Sequence, residues 1–527
     1  MAAAGFLSTL PSSADGTPIV ANLIGGGMRS DGFDTYLPLE APTTGAVIAQ
    51  VAMSTAPDVE AAVVVAEAAF PAWSAMTVRS RVAVLHKYRT LVAANARDLA
   101  DLVVLENGKN LAEALASVAK GNETVEWACG MPALGVAGNT LRVSGSVSCA
   151  DVREPLGIVA CICPFNFPAM VPMWTVPIAL ALGNVVIVKP SEKVPLTFLK
   201  MALLMKEAGL PDGVLQVVNG GRECVEALCD HPRIAGLTFV GSSKVAQLVA
   251  TRCRGSTVAP KRCLALGGAK NHLIALPDCV VEGASSDIVA SFAGCAGQRC
   301  MAASVLLLVG EQPALVDAIC RKSTALVAGT AQGQVGAIID AASVARIVGY
   351  INAAVTDWGA TVLVDGRSWA SADGEGGGDP SGHWVGPTVL LFTNPDAPCL
   401  KEEIFGPVLS VLVVPSAQRA LEIENGNPYG NAASIYTENG GHAEWFATRF
   451  RAGMIGVNIG VPVPREPFSF GGLPGTLSNF GDGDITGKGA MNFFSNKRKI
   501  TSKYFSRPTD IVAAVSGGDA ANFVGRM

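Results

Sequence analysis

Length, composition and charge restrict the kinds of protein that this chain can be. Its 527 residues exceed what one hydrophobic core usually holds, so we expect more than one domain. Half of the residues are apolar, only 16% are charged and the net charge is −5, which is typical of a large globular enzyme and argues against nucleic acid as the main partner.

The first part of the chain is predicted to be helical. Residues 56–70, 79–105 and 110–128 are rich in Ala, Val and Leu with spaced charges. Residues 131–150 change to Gly, Ser, Thr and Val, which predicts a β-hairpin that projects from the body. Residues 485–505 alternate polar and apolar side chains, and we expect them to pair with that hairpin.

An uncharged stretch from Pro155 to Val188 is long enough to span a bilayer. Four internal prolines interrupt it, however, and Asn166 and Asn184 lie within it. We therefore interpret the stretch as strand, loop, short buried helix and strand, and we expect no membrane partner. Continuous apolar runs of this kind are typical of parallel strands that are covered on both faces.

From this stretch onward, apolar runs alternate with helical patterns, which predicts an α/β fold with doubly wound parallel sheets. The predicted strands are residues 157–162, 185–188, 215–218, 237–240, 305–309, 389–392, 409–414 and 455–457. The predicted helices between them are residues 199–208, 222–229 and 243–250.

The cysteines and histidines indicate a reduced intracellular protein without a metal site. The 13 cysteines follow no repeated spacing, and none of the five histidines has the spacing of metal ligands. Residues 1–27 contain no arginine or lysine, so they lack the basic region of a signal peptide.

The tetrapeptide Gly297-Gln298-Arg299-Cys300 provides a candidate nucleophile. A guanidinium beside a thiol favours the thiolate, which is the reactive form. An aldehyde carbon releases its hydride readily only after a nucleophile has added to it, and the oxyanion that then forms needs fixed hydrogen-bond donors. Asn166, in a stiff Pro164-Phe165-Asn166-Phe167-Pro168 segment, is our candidate donor.

Two segments that follow predicted strands are candidates for binding a nucleotide. Lys189 and Glu192 come directly after a buried strand, where a carboxylate near the ribose favours NAD over NADP. Gly241-Ser242 opens a helix after another strand, and helix N-termini bind phosphate groups.

Together these motifs resemble those of the aldehyde dehydrogenase superfamily and, within it, the methylmalonate-semialdehyde dehydrogenases. The resemblance extends over residues 22–505 and rests on these segments: Glu106-Asn107-Gly108-Lys109-Asn110, Pro164 to Met170, Gly268-Ala269-Lys270-Asn271-His272, and Gly297 to Ala302. It implies an aldehyde-dehydrogenase-like α/β fold of two doubly wound parallel-sheet domains with a small β oligomerisation arm. The implied parts are an NAD-binding domain (1–130 and 154–270), a catalytic domain (271–470), the arm (131–153 and 485–505) and a flexible tail (506–527).

The resemblance also implies residue roles. Cys300 would be the nucleophile, and Asn166 with the Cys300 main-chain N–H would form the oxyanion hole. The residues that would bind the cofactor NAD are Phe165, Lys189, Glu192, Gly241, Ser242, Glu403 and Phe405. Of these, Glu403 would hold the nicotinamide ribose and Phe405 would pack at the nicotinamide end.

One departure from the hydrolytic members favours coenzyme A as the acyl acceptor. Hydrolytic members carry a Glu in an ELGGK segment as the base that activates water, whereas this chain reads Ala265-Leu266-Gly267-Gly268-Ala269-Lys270. Neither Ala265 nor Leu266 can accept a proton, so water attacks a thioester slowly while a thiol is itself a good nucleophile. A hydrolytic aldehyde dehydrogenase and a catalytically silent relative are the alternatives.

The resemblance further implies a substrate that carries a carboxylate, namely methylmalonate or malonate semialdehyde, which would yield propionyl-CoA or acetyl-CoA with decarboxylation. Arg299 and Lys120 occupy the positions of the family's two carboxylate-binding arginines, although Lys120 is alternatively a surface partner of Glu123. A homodimer or homotetramer is expected. The family implies the mitochondrial matrix in eukaryotes, and the N-terminal sequence leaves the cytoplasm open.

Overall fold

Strands and helices alternate along most of the chain in the computed structural model, which describes residues 2–134, 138–144, 147–255, 261–370, 377–481 and 483–503. The strands are β1 (Ile19–Val20), β2 (Asn22–Ile24), β3 (Gly27–Arg29), β4 (Tyr36–Ala41), β5 (Ala46–Ala52), β6 (Asn139–Ser144), β7 (Val147–Pro155), β8 (Ile158–Ile162), β9 (Val185–Lys189), β10 (Leu215–Val217), β11 (Ile234–Val240), β12 (Arg262–Leu266), β13 (Asn271–Ala275), β14 (Ala303–Val309), β15 (Thr361–Val364), β16 (Thr388–Phe392), β17 (Val408–Val414), β18 (Ala432–Tyr436), β19 (Met454–Val457) and β20 (Ser495–Lys503).

The helices cover both faces of the sheets. They are α1 (Ala2–Leu7), α2 (Ala56–Ala75), α3 (Val78–Ala94), α4 (Ala96–Asn107), α5 (Leu111–Cys129), α6 (Met170–Ala181), α7 (Pro195–Glu207), α8 (Arg222–Asp230), α9 (Ser243–Arg254), α10 (Val281–Ala293), α11 (Pro313–Thr324), α12 (Ala341–Thr356), α13 (Pro398–Lys401), α14 (Ala417–Asn425), α15 (Gly440–Ala447) and α16 (Gly487–Phe493).

The first large sheet has the strand order β12-β11-β8-β9-β10-β2-β3. The five strands from β12 to β10 are parallel, β2 pairs antiparallel with β10, and β3 pairs antiparallel with β2. All five residues of β8 and of β9 are buried, as predicted from their continuous apolar runs. Chain order reverses between β8 and β11, and the crevice at the carboxyl ends of such strands is where ligands bind in this architecture.

The second large sheet has the order β15-β16-β17-β14-β13-β18-β19. Its strands are parallel except for β15, which pairs antiparallel with β16. The starts of β13, β14 and β17 lie side by side because these three strands are adjacent and parallel. The loops that precede them, around residues 268–270, 297–302 and 403–407, therefore meet at one edge.

Two three-stranded sheets complete the fold. One consists of β1, β5 and β4 near the chain start. The other pairs β20 along the whole of β7, which also pairs with β6, so the expected pairing of the hairpin with the late segment is present. Only the later part of residues 485–505 is a strand, because α16 precedes β20. The predicted tail, residues 506–527, lies outside the described residues.

The long helix predicted over residues 79–105 is interrupted. Asn95 ends α3 and precedes α4 with a non-helical backbone, so the segment forms two helices. After α4, Gly108 adopts a left-handed φ of 79°, and Asn110 caps α5 by accepting the N–H of Glu113 at 2.9 Å. The resulting sharp turn, residues 106–110, is largely buried.

Among the described helices, none is by itself both long and apolar enough to cross a membrane. Only α2 and α3 taken together pass such a test of length and composition, and they are bent by 112°.

Candidate active site

A cleft of about 1080 Å³ separates the two large sheets. On one side are the carboxyl ends of β8, β9 and β11, and on the other are the loops that precede β13, β14 and β17. Its volume suits a ligand of nucleotide size. Nine of the predicted site residues line it, namely Phe165, Asn166, Lys189, Glu192, Gly241, Ser242, Cys300, Glu403 and Phe405.

Cys300 is positioned by a tight turn that sequence reasoning did not predict. Three consecutive residues before it, Cys295, Ala296 and Gly297, have φ values of 52°, 51° and 68°. Such left-handed conformations cost free energy for residues with a Cβ. At Gly297 a Cβ would also overlap the carbonyl group of Gly406, so only glycine fits there.

Two buried asparagines hold the main chain of the nucleophile. The carbonyl of Cys300 accepts hydrogen bonds from the side-chain amides of Asn271 at 2.7 Å and Asn431 at 2.9 Å. Asn271 in turn accepts the N–H of Ala432 at 3.0 Å. Because these contacts come from β13 and from the start of β18, the position of Cys300 depends on the second sheet.

Burial and a neighbouring carboxylate favour the protonated form of the Cys300 thiol. Burial raises its pKa to about 12, and the nearby Glu403 carboxylate adds to the rise. The Arg299 guanidinium lowers the pKa, but its effect is smaller than those of burial and Glu403. Its Nη2 donates to the carbonyl of Ala290 at 2.5 Å. The predicted stabilisation of a thiolate by Arg299 is therefore outweighed.

Asn166 reaches across the cleft to the Cys300 loop. Its Nδ2 donates to the main-chain carbonyl of Gln298 at 2.9 Å. Gln298 is buried and is itself fixed, since its Nε2 donates to Ala337 at 3.1 Å and its Oε1 accepts the N–H of Ile339 at 3.0 Å. One amide hydrogen of Asn166 is thus bound to the loop that carries the nucleophile.

Glu403 is the titratable side chain that most affects Cys300. It accepts the N–H of Ala269 at 2.9 Å, and a Cβ at Gly268 would overlap its Oε2. Burial raises its pKa to about 7, against the opposing effects of Ala269, Lys270 and Arg346. The glycine at 268 therefore makes room for a carboxylate that changes charge near neutral pH.

The other end of the cleft carries an ion pair between buried Lys189 and half-buried Glu192. Lys189 lies 3.1 Å from Glu192 and also donates to the carbonyl of Gly220 at 2.6 Å. Burial disfavours ionisation of Glu192, but the Lys189 ammonium, a main-chain hydrogen bond and Lys193 together outweigh it, so the pKa of Glu192 is lowered. The N-terminus of α9, at Gly241-Ser242, opens onto the same space.

Two aromatic rings lie between these ends. Phe165 and Phe405 meet edge to face, with centroids 5.8 Å apart and planes at 80°. Phe405 has a left-handed φ of 54°, which directs the chain back toward the Cys300 loop at Gly406.

Arg299 and Lys120 are not brought to the cleft with the other predicted residues. Lys120 forms ion pairs with Glu123 at 2.9 Å and with Glu466 at 3.1 Å. Pairing with Glu123 is the alternative that the sequence offers to a role of Lys120 in binding the substrate carboxylate. Glu466 was not predicted, because its contact with Lys120 joins positions 346 residues apart.

The family of the chain follows from sequence comparison. A model of the aldehyde dehydrogenase family matches residues 28–500. The chain belongs to the aldehyde dehydrogenase family. The malonate-semialdehyde dehydrogenase 1 of Geobacillus kaustophilus (strain HTA426) is 39% identical over 492 residues, which are 93% of this chain and 98% of that one.

Solved structures agree with this assignment and confirm the predicted fold. A methylmalonate-semialdehyde dehydrogenase (DddC) from Oceanimonas doudoroffii superposes with a TM-score of 0.89 at 35% identity, covering 93% of this chain and 99% of that one. A Sinorhizobium meliloti 1021 protein assigned as a methylmalonate-semialdehyde dehydrogenase and complexed with NAD gives 0.89 at 35%, covering 94% and 99%. This aldehyde dehydrogenase is therefore an oxidoreductase that acts on small-molecule aldehydes.

Proposed function

We propose that this aldehyde dehydrogenase oxidises malonate or methylmalonate semialdehyde with NAD and transfers the acyl group to coenzyme A. The single observation that carries the choice of acceptor is the apolar pair Ala265 and Leu266, both buried, where hydrolytic members keep a carboxylate. The names of its relatives support the choice of substrate.

The residues at the cleft fit NAD. The Lys189–Glu192 pair offers an ammonium and a carboxylate to ribose hydroxyls, and the start of α9 offers main-chain N–H groups to phosphate. Glu403 would hold the second ribose, and Phe165 and Phe405 would border the nicotinamide end. When bound, NAD accepts a hydride from the substrate carbon.

The protein supplies the nucleophile and the charge stabilisation. Cys300, once deprotonated, adds through sulfur to the aldehyde carbon, and the carbonyl oxygen becomes an oxyanion that receives hydrogen bonds from Asn166 and the Cys300 N–H. Loss of the hydride leaves an acyl thioester on Cys300. A β-carboxylate then leaves as CO2, or with water as bicarbonate, and a proton from solvent replaces it on the carbon. The thiol of coenzyme A, after giving up its proton, displaces the Cys300 thiolate to give acetyl-CoA or propionyl-CoA.

The missing base explains why a thiol acceptor is favoured over water. Ala265 and Leu266 end β12 within the hydrophobic core, so neither has an ionisable group to remove a proton from water. Glu403 is the carboxylate that remains near Cys300, and it also contacts the segment at Ala269. Hydrolysis without coenzyme A is the competing reaction, and it would require Glu403 to act as that base.

Arg299 and Lys120 are proposed to bind the carboxylate of the substrate. For this, Arg299 would exchange the carbonyl of Ala290 for the carboxylate, and Lys120 would exchange Glu466. Because Lys120 lacks the paired N–H groups of arginine, its contact would be a single charged hydrogen bond.

We also propose that the protein is a homodimer or homotetramer joined through the arm. The sheet of β6, β7 and β20 has exposed apolar side chains, among them Leu141 at 64% and Ile500 at 44% exposure. Light scattering tests assembly through the arm, and the mass of a monomer would contradict it.

We further propose a division of labour along the chain, in which residues 1–130 and 154–270 bind NAD and residues 271–470 carry the nucleophile.

The test of the proposed reaction is the dependence of NADH formation on coenzyme A. With malonate semialdehyde and NAD, we expect sustained NADH formation in the presence of coenzyme A and none in a Cys300→Ala variant. A Cys300→Ala variant that retains the wild-type rate would show that another residue is the nucleophile.

A further inference from the structure

The turn between α4 and α5 contacts the Asn166 loop through two buried side chains. Asn107 donates from Nδ2 to the carbonyl of Phe165 at 2.9 Å. Lys109 donates from Nζ to Asn107 Oδ1 at 2.9 Å and to the carbonyl of Asn166. The same Nζ lies 4.4 Å from the ring centroid of Phe167, so Lys109 and Asn107 hold three consecutive residues of the loop.

Lys109 is an unusual residue for this task because it is only 3% exposed. Burial lowers its pKa, while the neighbouring Cys295 and Glu113 favour its charged form and Arg299 opposes it. A buried ammonium is costly unless it is hydrogen-bonded, and here its partners are the Asn166 loop and Asn107. Removing it leaves the buried carbonyl of Asn166 without this donor.

The same turn also holds the loop of the nucleophile. Glu113, in the first turn of α5, accepts the N–H of Cys295 at 2.6 Å. The carbonyl of Gly108 accepts the N–H of Ala337 at 3.0 Å, and the carbonyl of Ala337 accepts from Gln298 at 3.1 Å. The turn and the first residues of α5 therefore fix Asn166 on one side of the cleft and the Cys300 loop on the other.

We propose that Lys109 is a positioning residue for the oxyanion hole and that it acts through Asn166. It holds the main chain at residue 166 so that the side chain lines the cleft and its amide, which bonds Gln298 with one hydrogen, keeps the other for an oxyanion. Lys109 is not among the residues that line the cleft, so we assign it no contact with substrate or cofactor. The proposal rests on the proposed aldehyde oxidation at Cys300.

A double-mutant cycle between Lys109→Met and Asn166→Ala tests this. The readout is the single-turnover rate of NADH formation with saturating aldehyde. A displaced donor costs about tenfold to a hundredfold in rate, so we expect that loss for Lys109→Met alone. If Lys109 acts through Asn166, the double variant is no slower than Asn166→Ala, because contacting residues are non-additive.

Three further measurements separate positioning from general damage. Lys261→Met is the matched control, since Lys261 is 7% exposed and donates to the carbonyl of His231, away from the Cys300 loop. We expect it to keep the wild-type rate. Lys109→Arg, which retains the charge and donors, should recover part of the rate. NAD affinity, measured by fluorescence without aldehyde, should be unchanged in Lys109→Met.

The outcomes against the proposal are equally definite. If Lys109→Met lowers the single-turnover rate by the same factor in the wild type and in the Asn166→Ala background, Lys109 acts independently of Asn166 and the proposal is wrong. It is also wrong if Lys109→Met reacts at the wild-type rate. If Lys109→Met does not fold, the cycle is run with Lys109→Arg, whose loss must likewise vanish in the Asn166→Ala background. A wild-type enzyme that oxidises no aldehyde contradicts both proposals, whereas an active enzyme with additive variants contradicts only this one.

Discussion

The side-chain amide of Asn166 donates to the main-chain carbonyl of Gln298 across 2.9 Å, two residues before Cys300. This hydrogen bond joins the loop after β8, in the first sheet, to the loop before β14, in the second. The nucleophile and the proposed oxyanion donor are therefore held together before any substrate binds, which is the condition for electrostatic stabilisation of a transition state.

Asn166→Ala is expected to slow formation of the acyl-enzyme without weakening NAD binding. Removing one oxyanion donor typically costs about a hundredfold to a thousandfold in rate. The check is the rate of NADH formation in a single turnover, together with NAD affinity from fluorescence titration. A loss confined to NAD affinity would contradict a role in the oxyanion hole.

Glu403→Gln is expected to increase the reactivity of Cys300 in the cofactor-free protein. The Glu403 carboxylate raises the pKa of Cys300, so its removal lowers that pKa, and each unit raises the thiolate fraction about tenfold. We expect alkylation by iodoacetamide to be roughly threefold to tenfold faster at pH 8.5. Because the pKa of Glu403 is about 7, the two proteins should converge near pH 6, where Glu403 is protonated. If the wild type and Glu403→Gln are alkylated at equal rates at both pH values, Glu403 does not influence the reactivity of Cys300.

Glu466→Gln is expected to improve binding of carboxylated aldehydes. Glu466 pairs with Lys120 at 3.1 Å and is only 10% exposed in its side chain, so it competes with a substrate carboxylate for the same ammonium. We expect the KM for malonate semialdehyde to fall roughly threefold to tenfold and the KM for propanal to stay the same. Glu123→Gln, which removes the more exposed partner of Lys120, is the control and should change little. If the KM values for malonate semialdehyde and propanal change by the same factor, the effect is not specific to the carboxylate.

Glu106 should make the protein less stable as the pH rises through 7. Its carboxylate is buried and accepts the N–H groups of Leu196 and Thr197 at the start of α7, at 2.7 and 2.8 Å. Burial raises its pKa from 4.5 to about 7. The folded state then binds the proton of Glu106 more tightly than the unfolded state does. The resulting contribution to the free energy of unfolding is therefore complete below pH 4.5 and is lost as the pH rises through 7.

A Glu106→Gln variant isolates that contribution. The Tm of the wild type relative to the variant should decrease from pH 5 to pH 8, as measured by thermal unfolding in matched buffers. A constant difference over this range would mean that Glu106 does not titrate there.

The main sheets and most of the cleft could be predicted from the sequence because each depends on local pattern. Apolar runs predicted β8 and β9. The polar residues at or just beyond their carboxyl ends, Asn166, Lys189 and Glu192, lie at one edge because the strands are parallel. The position of Cys300 opposite them follows from the second alternating region.

What could not be predicted depends on long-range contacts and on side-chain direction. Arg299 is adjacent to Cys300 in the chain, yet a left-handed turn and the carbonyl of Ala290 decide where its guanidinium points. Glu466 reaches Lys120 from 346 residues away. Lys109 was visible as part of a motif, but its contacts with residues 166 and 167 required the packing of both sheets.

The most direct test of the account is the acyl product formed from malonate semialdehyde and NAD, identified by mass spectrometry with and without coenzyme A. We predict acetyl-CoA and sustained NADH formation with coenzyme A, and without it a single burst of about one NADH per Cys300. Sustained turnover to a free acid without coenzyme A would contradict the account, because water would then be activated despite Ala265 and Leu266.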